Sequence, residues 1–171
     1  IIAPARELAV QIQAEAKKFT KLLGLRVAIV YGGGGMGEQI NDLKRGAEIL
    51  VCTPGRMLDV MYKQSSKLIN LRRCAMVVMD EADRMFDMGF EPQIRLIIQN
   101  VRPDRQTVLF SATFPPQIER LAKAILTLPL TIVAGERSAV NPDITQYVEV
   151  RAERDKFWRL LQLLGVWYDR G

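Results

Sequence analysis

Met76-Val77-Val78-Met79-Asp80-Glu81-Ala82-Asp83 is an apolar run that empties without a spacer into three carboxylates. Four apolar residues with no polar alternation read as a strand buried on both faces, the habit of parallel sheets covered by helices. Working outward, the chain repeats one pattern: a short β-branched run, a few special residues, then an amphipathic segment. Upstream, Ile1-Ile2-Ala3 reads as part of a strand and precedes a helix over 6–23, where Leu8, Ile12, Phe19, Leu22 and Leu23 recur near helical spacing and Gly24 can stop it. A strand over 26–31 leads into a glycine run and a polar helix near 39–44. The next strand, 49–52, passes through Thr53-Pro54-Gly55 into a helix carrying Met57, Leu58 and Met61. Downstream of the strand at 75–79 come a short helix, a helix over 92–100 and a strand over 106–110 ending in Ser111-Ala112-Thr113. Pro115-Pro116 opens a helix with Ile118, Leu121, Ala122, Ile125 and Leu126 on one side, and an apolar strand over 130–133 closes the set. The expected class is α/β, a mostly parallel sheet with helices on both faces.

With 171 residues, 49% of them hydrophobic, the chain can bury one substantial core. Residues 1–134 read as one domain. The polar stretch 135–143, with Gly135, Ser138, Asn141 and Pro142, reads as a linker. Beyond it, a strand over 144–150 and a helix over 156–164 bearing Trp158, Leu160, Leu161 and Leu164 are too little to bury a core, so 144–171 reads as the beginning of a second domain. A net charge of +5 suits a polyanionic partner without requiring one. Cys52 and Cys74 have no C-x-x-C partner and there is no histidine, which argues against structural zinc and for buried thiols in a reducing compartment. No apolar run is long enough to span a membrane, and no signal peptide is visible.

Arg6, Gly32, Thr53, Asp80 and Ser111 each fall at or just past the C-terminal end of an expected strand. In an open parallel sheet that edge is where ligands bind, so five special loops there point to one composite site. A buried strand can hold Asp80 toward Mg²⁺ while Glu81 orients a water, the arrangement nucleotide hydrolysis requires. Bland readings stand beside this. Asp80 to Asp83 could be a capped helix start, Ser111-Ala112-Thr113 an ordinary strand-to-helix connection, and Thr53-Pro54 an N-cap followed by proline at the first helical position. That last reading is compatible with function, because free N–H groups beside Arg56 suit a phosphate backbone. Gly32, Gly34 and Gly37 satisfy G-x-G-x-x-G after a strand, but the next strand runs into Cys52 and Thr53 instead of an acid, which argues against a dinucleotide site. A loop that lets a polynucleotide backbone approach the main chain fits better, with a flexible turn as the alternative.

Pro4-Ala5-Arg6-Glu7-Leu8-Ala9, Gly32-Gly33, Thr53-Pro54-Gly55-Arg56, Asp80-Glu81-Ala82-Asp83 and Ser111-Ala112-Thr113 stand in the order and rough spacing of a DEAD-box RNA helicase, a family this chain resembles over nearly its whole length. The stretch 80–94, with 101–107 and 111–115, looks most like the members that act in pre-mRNA splicing during prespliceosome assembly. The resemblance implies a RecA-like lobe of the P-loop NTPase type, lacking its N-terminal part, followed by the start of a second such lobe. It implies ATP and Mg²⁺ as cofactors, RNA gripped by its sugar-phosphate backbone as partner, spliceosomal proteins as further partners, no membrane, and a nuclear location. Asp80 would hold Mg²⁺, largely through water, and Glu81 would position or deprotonate the attacking water. Asp83, Ser111 and Thr113 would couple nucleotide state to contact between lobes. Arg6, Gly32, Gly33, Thr53, Gly55 and Arg56 would grip RNA.

The chain departs from the family in two ways. No G-x-x-x-x-G-K-[ST] loop occurs, so the phosphate-binding loop is expected before Ile1 and the arginine finger after Gly171, and the 171 residues alone are expected to hydrolyse essentially no ATP. Ala5 replaces the usual threonine, which removes one hydroxyl. A non-catalytic RNA-binding scaffold of helicase ancestry and a DNA-acting helicase of the same two-lobe plan stay open as alternatives.

Overall fold

The computed structural model describes residues 1–63, 68–134 and 143–168. The chain divides into two compact units, Ile1–Val133 and Ala134–Gly171. In the first, α1 (Arg6–Thr20) leads through a 3₁₀ turn to β1 (Val27–Val30), α2 (Met36–Lys44), β2 (Ile49–Cys52) and α3 (Pro54–Leu58). There follow β3 (Met76–Met79), α4 (Ala82–Asp87), α5 (Glu91–Gln99), β4 (Gln106–Leu109) and α6 (Pro116–Ile125). The strands form two parallel pairs, β1 with β2 (Val27 opposite Ile49) and β3 with β4 (Met76 opposite Gln106).

The first three residues join the pairs. Ile2 N–H donates to Val78 C=O (2.8 Å) and Asp80 N–H to Ile2 C=O (3.0 Å) on one side. On the other, Cys52 N–H donates to Ile1 C=O and Ala3 N–H to Cys52 C=O, both at 2.9 Å. Ile1 to Ala3 therefore lie between β2 and β3 as the expected strand, reduced to a bridge, and the sheet reads β1, β2, 1–3, β3, β4. Side chains alternate across it. Ala28, Val30, Cys52, Val77 and Met79 pack on one face with Met57, Met85, Ile94, Ile97 and Leu121 from the helices after β2, while Ile29 and Val51 pack on the other with Ala9, Leu8 and Ile12 of α1. This is the α/β architecture with helices on both faces that the sequence predicts.

Three expectations fail on the ends of elements. Phe19, Leu22 and Leu23 are exposed, because a strand of four residues spans about 13 Å whereas α1 spans about 22 Å and overshoots the sheet. Gly24 does end the segment, in the left-handed region at φ +66°. The run 130–133 is not a strand and pairs with none; Leu130 and Ile132 line a cleft of about 430 Å³ together with Thr107 and Leu109 of β4. In the second unit, 144–150 is likewise not a strand, since no strand lies beside it to pair with among the described residues. The helix there, α7, runs over Glu153–Tyr168, longer than expected, with Trp158, Leu160, Leu161 and Leu164 exposed. The segment before it is tied to α7 by Glu149, which accepts from Arg159 and also pairs with Arg151. Those hydrogen bonds, Arg159's first, pull the Glu149 carboxyl down to about 2. Of the expected linker, 135–142 lies outside the described residues.

Cys52 and Cys74 are both free thiols, as expected, with Cys52 fully buried at the end of β2 and Cys74 partly so. Burial pushes the Cys52 thiol up to about 11. A thiol reagent at pH 8 should therefore label Cys74 under native conditions and Cys52 only once urea unfolds the sheet, read by mass spectrometry of the two peptides. Equal native labelling would mean that the 1–3 bridge over Cys52 is not formed.

Candidate functional site

Two groups of residues stand at the C-terminal edge of the sheet. The acidic group begins where β3 ends. Asp80 N–H is held by Ile2 C=O, and Asp80 Oδ1 accepts from Glu81 N–H (3.0 Å). Glu81 then turns left-handed, φ +50° and ψ +53°, a conformation a residue with a Cβ adopts at a cost. It is held there from both sides. Ala82 N–H donates to Phe110 C=O (3.0 Å), Phe110 N–H donates to Met79 C=O (2.8 Å), and Met85 N–H closes the first turn of α4 on Glu81 C=O. Neither acid caps α4 by its side chain in the way a simple helix start would require; Glu81 occupies the N-cap position without a side-chain bond. Its carboxylate is half-exposed and lies 3.5 Å from Arg84 Nη1.

Asp83 faces the loop after β4. Its Oδ2 accepts from both the Thr113 N–H (2.8 Å) and the Thr113 hydroxyl (2.7 Å), its Oδ1 from Arg84 N–H (3.0 Å). Its own N–H donates to Ser111 Oγ (3.2 Å), and that hydroxyl donates to Thr113 C=O (2.7 Å). Partial burial pushes the Asp83 carboxyl up, but the bonds from Thr113, Arg84 and Ser111 outweigh it, and the net position is below the ordinary aspartate range. Ser111-Ala112-Thr113 is thus more than a connection between β4 and α6: it is bonded across the sheet edge to Asp83, 28 and 30 residues away in sequence.

The second group surrounds the glycine run. Arg6 opens α1, and Ala5 before it is the N-cap, without a side-chain bond. The missing threonine hydroxyl is therefore a missing cap, worth about 0.5–2 kcal/mol. The Arg6 guanidinium lies over the Tyr31 ring, 5.0 Å from its centroid, as a cation–π pair. Gly33 needs its glycine, with φ +80°. A Cβ on Gly32 or Gly55 would meet nothing within 4 Å, so nothing inside the protein demands a glycine there. Thr53 is buried and precedes Pro54, the first residue of α3, as read from sequence, but its hydroxyl makes no cap bond; its N–H goes to Val30 C=O (2.9 Å). Arg56 donates to Gly34 C=O (3.4 Å) and lies 4.0 Å from Asp59. No hydrogen bond or ion pair joins the acidic group to this one among the described residues.

The sequence reading missed Gln39. It is buried on the same face of α2 as Leu43, four residues on, and its carboxamide holds both main-chain groups of Tyr31: Tyr31 N–H donates to Oε1 (3.1 Å) and Nε2 donates to Tyr31 C=O (3.2 Å). A glutamine spaced i, i+4 with a core leucine was the available signal.

A parallel sheet with an acid pair at one strand end and glycine-bearing loops at the same edge is the layout of a RecA-like lobe. The chain belongs to the DEAD/DEAH box helicase family, whose pattern matches residues 1–121. It is 63% identical over its full length to DEAD-box ATP-dependent RNA helicase 42 of Oryza sativa and 59% identical to the probable ATP-dependent RNA helicase DDX46 of Homo sapiens. It spans only 16% and 17% of those proteins. The crystal structure of a hypothetical ATP-dependent RNA helicase from Sulfolobus tokodaii superposes with a TM-score of 0.67 at 39% identity, over 74% of this chain and 38% of that one.

Two outcomes follow. A Glu81→Gly protein should be about 1 kcal/mol more stable in urea than Glu81→Ala, because only glycine enters the left-handed region without strain; equal stability would mean that Glu81 is not held there. In an acid titration followed by NMR, the Thr113 amide signal should move only as pH falls below the ordinary aspartate value of about 3.9. A lowered folded-state pKa means the tether's stabilisation is fully present above that value and is lost as pH falls through the folded one. The shift should vanish in Asp83→Asn.

Proposed function

We propose that this chain is the part of an ATP-dependent RNA helicase that carries the hydrolytic acids and half of the RNA grip. The observation that carries the proposal is the backbone lock on Glu81. A strained glutamate over-determined by bonds from Asp80 and Ala82 is what an enzyme needs to aim a carboxylate at one water, and a scaffold has no use for it. Asp80 suits Mg²⁺ by the chemistry of its donors. One oxygen takes Glu81 N–H and the other has no protein partner among the described residues. Mg²⁺ characteristically uses one or two carboxylates and completes its shell with water and phosphate. When bound, the ion would supply charge neutralisation at the phosphates; the rest of the chemistry here falls to the chain. Glu81 orients and takes a proton from the attacking water. Asp83, fully ionised near neutral pH, holds Ser111 and Thr113 so that the loop after β4 follows any movement of the acid pair.

On the other side, Arg6, Gly32, Gly33, Thr53, Gly55 and Arg56 present guanidinium groups and open main chain to a sugar-phosphate backbone. The open surroundings of Gly32 and Gly55 fit close approach of such a backbone. RNA is favoured over DNA because the two relatives described above are named RNA helicases. The resemblance of 80–94, 101–107 and 111–115 to the splicing members of the family supports a place in pre-mRNA splicing, with spliceosomal partners in the nucleus.

The test uses the full-length protein and its Glu81→Gln variant. ATP turnover should rise with single-stranded RNA more than with matched DNA, and Glu81→Gln should lower it about 10²–10⁴-fold while ATP still binds. RNA binding without turnover in the unsubstituted protein would return the scaffold reading to first place.

A further inference from the structure

We infer that Gln39 and Tyr31 are positioning residues that set the spacing of the Arg6 and Arg56 guanidinium groups through the glycine loop between them; the inference rests on the RNA-binding reading of that loop. The geometry runs as one chain of contacts. Past Val30 the strand leaves its neighbour: Val30 C=O still accepts from Thr53 N–H, but Tyr31 has no strand partner. Gln39 takes that place, with one donor and one acceptor on the two main-chain groups of Tyr31, and it is almost fully buried. A polar side chain at such depth is tolerated because both of its ends are bonded, so the pair is rigid where the loop begins.

From Tyr31 the constraint spreads in two directions. The ring carries the Arg6 guanidinium on its face, and Arg6 Nη1 would lie 3.8 Å from a Cβ on Gly33. On the other side, Gly34 sits so close that an added Cβ would meet the Tyr31 ring at 2.9 Å and Gln39 Nε2 at 3.2 Å, and its C=O accepts from Arg56. Any Cβ at 34 must therefore push the Tyr31 ring aside, although the φ of Gly34 lies outside the left-handed region. Arg6 lies over Tyr31 and beside Gly33, Arg56 is bonded to the adjacent Gly34, and what fixes the loop's height between them is the clamp beneath Tyr31. Two cations held at a set distance can engage successive phosphates of one strand together; released, each remains charged but no longer in register.

The experiment measures binding of a fluorescent single-stranded oligouridylate to the full-length protein by anisotropy across 50–200 mM salt. Each phosphate neutralised on a single strand contributes about 0.7 to the slope of log K against log salt. Gln39→Met, which keeps the volume and removes both bonds, should reduce the slope by about 1.4, so that its affinity deficit relative to the unsubstituted protein shrinks about sevenfold over that salt range. Gly34→Ala, which leaves the carboxamide intact and displaces Tyr31, should do the same, and it keeps the inference testable if Gln39→Met does not fold. Adding Gln39→Met to an Arg6→Ala, Arg56→Ala protein should change the slope no further. An unchanged slope with weaker binding in both single variants would mean that Gln39 only stabilises the fold, and the inference would fall while the RNA reading stood. No binding by the unsubstituted protein would overturn both.

Discussion

Everything at the functional edge depends on a few main-chain hydrogen bonds made by the first three residues. Ile1 to Ala3 connect the pair β1–β2 to the pair β3–β4, and the bond from Asp80 N–H to Ile2 C=O sets where β3 stops and its acids begin. Without that bridge the sheet would be two ribbons, each too narrow to bury a core, and the two groups of site residues would have no fixed relation to a common frame. The bridge is itself made secure by burial: Ile2 and Ala3 are in the interior, where an unpaired N–H or C=O is costly, so alternative pairings are strongly disfavoured.

The acidic group shows how such a frame fixes the main chain of an acid. The left-handed turn at Glu81 is unfavourable by itself, and it persists because the peptides on either side are bonded to other strands. The lock sets the direction of the Cα–Cβ bond, and the half-exposed carboxylate beyond it lies 3.5 Å from Arg84 Nη1. Asp83 works differently. Its charge is stabilised by neutral donors from Thr113 and Arg84 backbone, so the acid that links two loops stays ionised and the link depends on direction more than on opposite charge.

Legibility in the sequence varied from residue to residue for physical reasons. Ile49 to Cys52 and Met76 to Met79 were readable because strands of a sheet with helices on both faces are continuously apolar, although Met76 at the start of β3 is exposed. The helix at Pro116 was readable from its proline and its apolar spacing, and Ile118, Leu121, Ala122 and Ile125 are buried as that spacing predicts. The run 130–133 has the same composition as a strand and is not one, because strand formation requires a partner edge and composition does not report whether one is within reach. Phe19 and Leu22 fit a helical stripe that outlasts the surface it would cover.

The sequence by itself determined the α/β class and the order of strands and helices from 27 to 125, and it set Asp80, Ser111 and Thr53 at strand ends, since these follow from local periodicity. Only the tertiary structure decided how those residues are held: Glu81 in a strained turn, Asp83 bonded to Thr113 across the sheet, Gln39 clamped beneath Tyr31. Each of these is a contact between segments separated by 8 to 30 residues or more, and a hydrogen bond of that kind depends on distance and angle after packing, which no local pattern encodes.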